Sequence, residues 1–166
     1  MQPSATEFQE YDYTRSGNPT RAALETLVAG MEGAHAAFAF TSGMAALANM
    51  IRLLQAGDEI LCNADIYGGM YRLLSKVAVR QGIKVRFIQI WDLDKVRAAL
   101  GPHTKMVHIE SPSNPLMMVC DIRALAAIVK QHNGGTCLLT VDNTILTPLL
   151  MKVAYCLLKR TRVIRP

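Results

Sequence analysis

The sequence predicts an α/β fold, with a mostly parallel sheet and helices on both of its faces. Apolar runs of strand type alternate with segments of helical periodicity, and glycine-containing turns separate them. Parallel strands need a crossover connection, usually a helix, so this alternation favours a parallel sheet. The chain has 166 residues, of which 51% are hydrophobic and 19% charged, and this suits one soluble domain with a sizeable core.

Each element follows from a local pattern. We predict strands at residues 34–41, 59–63, 84–90, 106–110 and 136–142, and helices at residues 20–32, 43–54, 68–81, 92–100 and 121–131. Pro19 is placed to open the first helix, and Asp92 and Asp121 give their helices acidic starts. Gly57 and Gly82 mark turns between the units.

The net charge of +5 comes from the C-terminal segment. Residues 1–150 contain 13 basic and 13 acidic side chains, whereas residues 151–166 add five basic side chains and no acidic one. The body of the chain is therefore not predicted to bind nucleic acid. The short basic tail offers little specificity for RNA or anionic lipid.

Cysteine spacing and hydropathy bear on the compartment. The four cysteines form no C-x-x-C pair, which argues against zinc-ribbon and thioredoxin-type sites, and Cys62 and Cys137 are interpreted as small buried hydrophobes. No apolar run approaches the roughly 20 residues of a membrane span, and residues 1–10 resemble neither a secretory signal nor an arginine-rich transit peptide. We therefore expect no membrane partner and a reducing, cytoplasmic location, with an organelle left open.

Candidate functional residues follow the ends of predicted strands. They are Ser42, Gly43, Tyr67, Asn114 and Asp142. Ligands of parallel α/β sheets bind at the carboxyl ends of the strands, so these residues are expected to share one site.

The segment Ser42-Gly43-Met44 links a strand to a helix. Free N–H groups at a helix N-terminus suit a phosphate, although a plain strand-to-helix turn is the alternative. Tyr67 precedes two glycines, and its ring could stack on a heteroaromatic cofactor or be an ordinary core or surface tyrosine.

Asp142 is the most informative candidate. It follows an apolar strand, and burying an acid there is costly unless it meets a positive partner such as a protonated pyridine nitrogen. The alternative is a strand-end cap for Asn143 or Thr144. His108 and Glu110 share one strand face and could form a metal pair, but no third ligand has a useful spacing, so a structural histidine is favoured and no metal is expected.

Two longer segments carry a family resemblance. Residues 11–21 read Tyr-Asp-Tyr-Thr-Arg-Ser-Gly-Asn-Pro-Thr-Arg, and residues 110–115 read Glu-Ser-Pro-Ser-Asn-Pro. With the segments above, they resemble the cystathionine lyase/synthase family of transsulfuration enzymes, and the β-lyase branch most. The resemblance implies a large domain of the pyridoxal-phosphate (PLP)-dependent, aspartate-aminotransferase-like fold type I.

The resemblance also implies a role for each candidate. Gly43 and Met44 would offer N–H groups to the phosphate of PLP, and Tyr67 would stack on its ring and assist proton movement. Asn114 would contact the phenolic oxygen or the substrate carboxylate, and Asp142 would pair with the ring nitrogen. The reaction implied is carbon–sulfur cleavage of cystathionine, which yields homocysteine, pyruvate and ammonia.

An association of subunits is implied as well. Tyr13 and Arg15 would reach the phosphate of a neighbouring subunit, because a guanidinium can bind phosphate through two donors. We therefore expect a homo-oligomer or an association with a full-length homologue. The chain divides into an N-terminal arm at residues 1–19, a partial PLP-binding domain at 20–150 and a divergent basic tail at 151–166.

The sequence departs from the family pattern near Leu150. The family continues to a Ser-x-Thr-Lys segment whose lysine forms the Schiff base, and none of the seven lysines here lies in that setting. Lys105 opens a strand, which puts it at the wrong end of the sheet. We therefore expect a truncated chain with negligible turnover on its own. The alternatives are a non-catalytic PLP-binding or interaction subunit, or γ-synthase or γ-lyase activity in a complete protein.

Overall fold

The computed structural model describes residues 11–158, without the side chains of residues 155, 157 and 158. Its centre is a four-stranded sheet in the order β2-β1-β3-β4, in which every neighbouring pair is parallel. The strands are β1 (Glu59–Asn63), β2 (Lys84–Ile88), β3 (Thr104–Glu110) and β4 (Leu138–Asp142). The predicted parallel sheet is confirmed.

Helices connect the strands and cover both faces of the sheet. They are α1 (Pro19–Glu32), α2 (Gly43–Ile51), α3 (Gly68–Arg72), α4 (Leu93–Ala99), α5 (Ile122–Gln131), α6 (Thr147–Leu150) and α7 (Val153–Leu158). One buried cluster joins α2 and α3 to the sheet through Ile51 and Met70, and the other joins α4 and α5 through Val96 and Leu125. Burial of these two apolar surfaces holds the layers together.

Side-chain caps fix where the helices begin. Asn18 accepts the N–H of Arg21 at the start of α1, and Pro19 occupies the first turn as expected. Asp92 accepts two N–H groups of α4, and Asp121 accepts one of α5, so both predicted acidic starts are confirmed. Within the described residues, no helix is long and apolar enough to cross a membrane.

The predicted strand at residues 34–41 is wrong. No strand is formed there, and the N–H of Ala39 donates instead to the Glu25 carboxylate of α1 at 2.8 Å. Phe38 and Phe40 are 78% and 46% exposed. An apolar run becomes a strand only where a neighbouring strand accepts its ladder hydrogen bonds, and no described strand lies beside this segment.

Two helix boundaries also differ from the prediction. The helix expected at residues 43–54 ends at Ile51 and closes with three-residue turns up to Leu54. The helix expected at residues 68–81 is α3 followed by a π turn (Leu73–Val77) and a 3₁₀ turn (Ala78–Gln81). Backbone geometry at helix ends is irregular because the last carbonyls lack partners within the helix.

The expected arm and tail are described only in part. Residues 14–16 form a turn, in which the N–H groups of Ser16 and Gly17 donate to the carbonyl of Tyr13, and the role of the arm in subunit contact stays a prediction. Beyond Leu150, α7 packs against α5, and Met151 and Cys156 join its apolar cluster. Residues 1–10 and the basic end at 159–166 lie outside the described part of the chain.

Candidate functional site

A cavity of about 420 Å³ lies at the carboxyl ends of β1, β3 and β4. The chain runs from β1 outward to β2 on one side and from β3 outward to β4 on the other. The point between β1 and β3 is therefore a switch in strand order, where loops diverge and leave a crevice. The cavity is lined by Ser42, Gly43, Met44, Leu47, Tyr67, Glu110, Asn114, Asp142, Thr144 and Ile145.

The lining contains six of the eight predicted site residues. Ser42, Gly43, Met44, Tyr67, Asn114 and Asp142 come from four separate segments of the sequence and meet around one space. The structure brings them together around one cavity at the strand ends, and their roles as site residues stay predictions.

The N-terminus of α2 forms one wall. Ser42 Oγ accepts the N–H of Ala45 at 3.1 Å, which caps the helix but does not use the N–H groups of Gly43 and Met44. A Cβ built on Gly43 would meet no heavy atom within 4 Å, so the space beside this turn is open. Unused N–H groups beside open space fit a phosphate.

A second wall is the ring of Tyr67, which is 43% exposed. A Cβ on Gly69 would lie 2.8 Å from the Tyr67 Cζ atom and 2.9 Å from the Met44 sulfur. The ring can therefore occupy its place only because residue 69 has no side chain. Gly69 was not predicted as a site residue, although the Tyr-Gly-Gly sequence was the available signal.

Asp142 ends β4 and is half-buried. Its Oδ1 accepts the N–H of Thr144 at 3.0 Å and the hydroxyl of Thr144. The capping alternative is thus present in the structure, and both of these bonds go to the same oxygen. Since Asp142 also lines the cavity, the two interpretations are compatible: one oxygen orients the carboxylate and the other is available to a ligand.

Asn114 lies on a loop that hydrogen bonds hold on both sides of this residue. Ser113 is fully buried, donates its hydroxyl to Asp65 and accepts the N–H of Met118 at 3.0 Å. Asp65 Oδ2 also accepts the N–H of Leu116 at 3.1 Å. Asp65, from the segment after β1, therefore fixes the loop on both sides of Asn114. Sequence reasoning did not identify Asp65.

Glu110 is the main site residue that sequence reasoning missed. It ends β3, is 6% exposed, and its Oε2 accepts the Tyr67 N–H at 2.7 Å. Burial raises the pKa of Glu110, the Tyr67 N–H opposes this, and the charges of Asp142 and Asp65 raise it further. An acid at the end of a buried strand was the same signal that identified Asp142.

His108 is a structural residue. It is 1% exposed in the middle of β3, and its Nδ1 lies 2.9 Å from the hydroxyl of Thr140 on β4. Burial lowers the pKa of His108 to about 4, and Asp142 opposes the shift. His108 therefore bonds across the sheet while Glu110 bonds to Tyr67, in agreement with the structural interpretation of this histidine.

Tyr13 and Arg15 do not reach the cavity. Both side chains are exposed, and the Arg15 guanidinium lies 4.6 Å from the centre of the Tyr13 ring. Among the residues that the structure describes, no lysine or arginine lines the cavity. Lys105 is the second residue of β3, so its predicted position away from the carboxyl ends is confirmed.

Comparison with known proteins identifies the family. The profile of the family described as "Cys/Met metabolism PLP-dependent enzyme" matches residues 1–154. This chain belongs to that family. Its expected resemblance is confirmed, and the cofactor expected from it, pyridoxal 5′-phosphate, is the cofactor of the family.

Named relatives of the Cys/Met family agree with this assignment. The chain is 50% identical over 151 residues to the chloroplastic cystathionine β-lyase of Arabidopsis thaliana, which covers 91% of this chain and 32% of that protein. It is 44% identical to cystathionine β-lyase MetC of Bacillus subtilis, with 91% of this chain and 38% of that protein covered. A cystathionine γ-lyase of Bacillus subtilis is 43% identical, with 89% and 38% covered.

Solved structures confirm the fold. Cystathionine γ-lyase from Lactobacillus plantarum, complexed with L-serine, superposes with a TM-score of 0.87 at 38% identity over 94% of this chain and 40% of that one. The metB protein of Corynebacterium glutamicum gives a TM-score of 0.88 at the same identity and coverage. The chain therefore spans about a third to two fifths of the length of these relatives.

Proposed function

We propose that this chain binds PLP in the cavity at the carboxyl ends of β1, β3 and β4 and takes part in carbon–sulfur cleavage of cystathionine. One observation carries the proposal. An open helix N-terminus, a flat aromatic ring and a carboxylate, from distant parts of the sequence, line the same space of about 420 Å³. These three features match the phosphate, the ring and the ring nitrogen of one cofactor.

The residues present fit this group. The N–H groups of Gly43 and Met44 would bind the phosphate, since they point from a helix N-terminus with open space beside them. Tyr67 would cover one face of the ring, and Asn114 would orient its phenolic oxygen or the substrate carboxylate. PLP, when bound, supplies an electron sink for a carbanion next to nitrogen.

Asp142 would hold the proton on the ring nitrogen. A carboxylate beside a cationic group favours the charged form of that group, and Thr144 holds the Asp142 carboxylate in place. Tyr67 would assist proton movement at its phenolic oxygen. The substrate class is a sulfur-containing amino acid, and the Cβ–S bond is the one to break. The 50% identity to the Arabidopsis thaliana β-lyase, against 43% to a γ-lyase, supports the β-lyase branch.

The 166-residue chain by itself is a different case from the complete relatives, because turnover in this family needs a lysine at the cofactor. Among the described residues, no lysine lines the cavity, so the covalent anchor and proton carrier expected from the family are not supplied from this part of the chain. We therefore propose PLP binding with negligible cleavage of cystathionine by this chain alone.

The purified 166-residue chain, titrated with PLP, tests both parts. We expect induced circular dichroism in the cofactor's absorption band, because a bound ring lies in an asymmetric cavity, together with less release of thiol and pyruvate than a full-length relative gives. No induced signal at saturating PLP would contradict binding. Enzyme-like release of thiol and pyruvate would contradict the proposed lack of turnover.

A second candidate is a non-catalytic subunit that pairs with full-length homologues. Exposed apolar side chains favour it: Phe38, Leu149 and Leu150 are 78%, 80% and 77% exposed, which is costly in water unless a partner covers them. Co-expression with a full-length relative, one of the two tagged, would test this. A chain that elutes as a monomer and never co-purifies would contradict it.

A further inference from the structure

Glu110 links two walls of the cavity that are far apart in the sequence. Its carboxylate accepts the N–H of Tyr67, 43 residues upstream, at 2.7 Å. The backbone N–H of Asn114 also favours the ionised form of this carboxylate. One side chain therefore joins the start of the segment that carries the stacking ring to the loop that carries the candidate amide. A hydrogen bond to a charged acceptor is among the stronger ones in proteins.

The backbone of Glu110 is itself held from both sides. Its N–H donates to Asn63 Oδ1 at 3.2 Å, and its carbonyl accepts Asn63 Nδ2 at 3.0 Å, so the side chain of Asn63 extends the ladder between β1 and β3. On the other side the N–H of Ser111 donates to the carbonyl of Asp142 at 3.2 Å. The carboxylate therefore projects from a fixed point at the floor of the cavity.

Stability alone does not explain an acid at this position. Glu110 is 6% exposed, and the charges of Asp142 and Asp65 act against its ionised form. A neutral side chain would avoid the cost of burying a charge among like charges. What the carboxylate provides is a charged acceptor for the N–H of Tyr67 and a second oxygen, through which the N–H of Asn114 can act on the same side chain.

The direction of the Tyr67 ring depends on this contact. Fixing the N–H of a residue fixes the plane of its peptide and therefore its N–Cα bond. The φ of −47° at Tyr67 then sets the direction of its Cα–Cβ bond. The ring also lies so close to Gly69 that a Cβ on residue 69 would clash with it. A small rotation of the Tyr67 backbone would therefore move the ring away from its position beside Gly69.

We propose that Glu110 is a positioning residue, which sets Tyr67 and Asn114 relative to one another so that both meet the same bound cofactor. The inference rests on the proposed binding of PLP and adds to it a residue that acts through two others. Glu110 sets the cavity geometry before the ligand arrives, and a preorganised site binds more tightly because less ordering remains to be done.

The test compares variants of the 166-residue chain by PLP titration, with induced circular dichroism per bound PLP and thermal melting as further readouts. Glu110→Gln keeps the shape and one acceptor oxygen. We expect its affinity for PLP to fall roughly threefold to tenfold while its melting temperature does not fall, because a buried charge is removed. Glu110→Ala should lose about tenfold or more, with a weaker induced signal for each bound PLP.

Glu59→Gln is the matched control. Glu59 is also a poorly exposed acid in a strand of this sheet, but it bonds to Arg86 and Thr104 at the opposite end. We expect it to lower the melting temperature and leave PLP affinity unchanged. A purely structural role of Glu110 would give this same pattern, so Glu110→Gln with lower stability and wild-type affinity overturns the inference.

A double-mutant cycle shows whether Glu110 acts through Tyr67. In a Tyr67→Ala background we expect Glu110→Ala to weaken PLP binding by less than about threefold, since the ring that it positions is gone. Loss of the full tenfold in that background would overturn the inference. If the wild-type chain binds no PLP at all, both the proposed function and the inference are rejected. If the wild-type chain binds PLP and neither Glu110 variant changes its affinity, only the inference is rejected.

Discussion

At the amino end of the sheet, Glu59 is paired with a cation, whereas at the carboxyl end Glu110 and Asp142 face a cavity. Arg86 Nε lies 2.9 Å from one Glu59 oxygen, and the Thr104 hydroxyl donates to the other at 2.6 Å. At the carboxyl end, within the described part of the chain, the cavity lining includes no lysine or arginine. Burial raises the pKa of Glu110 there, and the charges of Asp142 and Asp65 raise it further.

The acids at the two ends of the sheet therefore contribute differently, to folding at the amino end and to ligand binding at the carboxyl end. The amino end satisfies its charge internally, so its residues are expected to contribute to folding. The carboxyl end keeps negative charge beside an open space, which costs folding energy and favours a positively charged ligand group. A cationic ring nitrogen next to Asp142 would relieve this repulsion.

Asp142→Asn gives the largest expected effect on the carboxyl end. The amide keeps an oxygen for Thr144 but loses the charge that would pair with the ring nitrogen, so PLP affinity should fall by roughly tenfold to a hundredfold. Equilibrium titration measures this, with Asp121→Asn, at the distant start of α5, as a control that should leave affinity unchanged. Wild-type affinity in Asp142→Asn would contradict a ligand-binding role for the acids at the carboxyl end.

Two glycines, one beside the cavity and one near the amino end of the sheet, test the same difference between the two ends. Gly69→Ala would place a Cβ against Tyr67 Cε1 and 2.8 Å from Tyr67 Cζ. Gly82→Ala would place a Cβ 2.9 Å from the Ala56 Cβ at φ +80°, near the amino end of β2. Both should lower the free energy of unfolding by about 1–3 kcal/mol, as overpacking and strain do. We expect only Gly69→Ala to lower PLP affinity as well. PLP titration and urea unfolding measure both effects. Equal PLP affinities in the two variants would contradict the idea that PLP binding depends on the position of the Tyr67 ring.

Arg86→Ala tests the amino end. It leaves Glu59, whose side chain is 14% exposed, without its cation, although Arg86 itself is 46% exposed and partly screened by solvent. We expect about 1 kcal/mol of lost stability by chemical denaturation and no change in PLP binding. A clear loss of PLP affinity would show that the two ends are not independent.

The pH dependence of stability gives the smallest effect. Burial raises the pKa of Glu110 above its ordinary 4.5, so the folded state holds this proton more tightly than the unfolded state. Its stabilising contribution is present below pH 4.5 and is lost as pH rises through the folded pKa. We therefore expect the stability of Glu110→Gln to gain on the wild type as pH rises over this range. Parallel curves in urea titrations would contradict this.

Local patterns predicted most of the fold. The order of strands and helices, the acidic caps at Asp92 and Asp121 and the position of Lys105 follow from periodicity and capping chemistry that act over a few residues. The error at residues 34–41 has the opposite cause. Whether an apolar run forms a strand depends on a partner elsewhere in the molecule, which no local pattern encodes.

Part of the candidate site could likewise be predicted from local sequence, and part could not. The sequence by itself determined that this chain belongs to a PLP-dependent family and that Ser42, Tyr67 and Asp142 follow strand ends, because residue type and spacing carry that information. Only the tertiary structure decided that Glu110 accepts the N–H of Tyr67, since the distance between residues 43 apart is set by the register of β1 and β3. Long-range geometry of this kind results from packing of the whole sheet, and a linear pattern does not contain it.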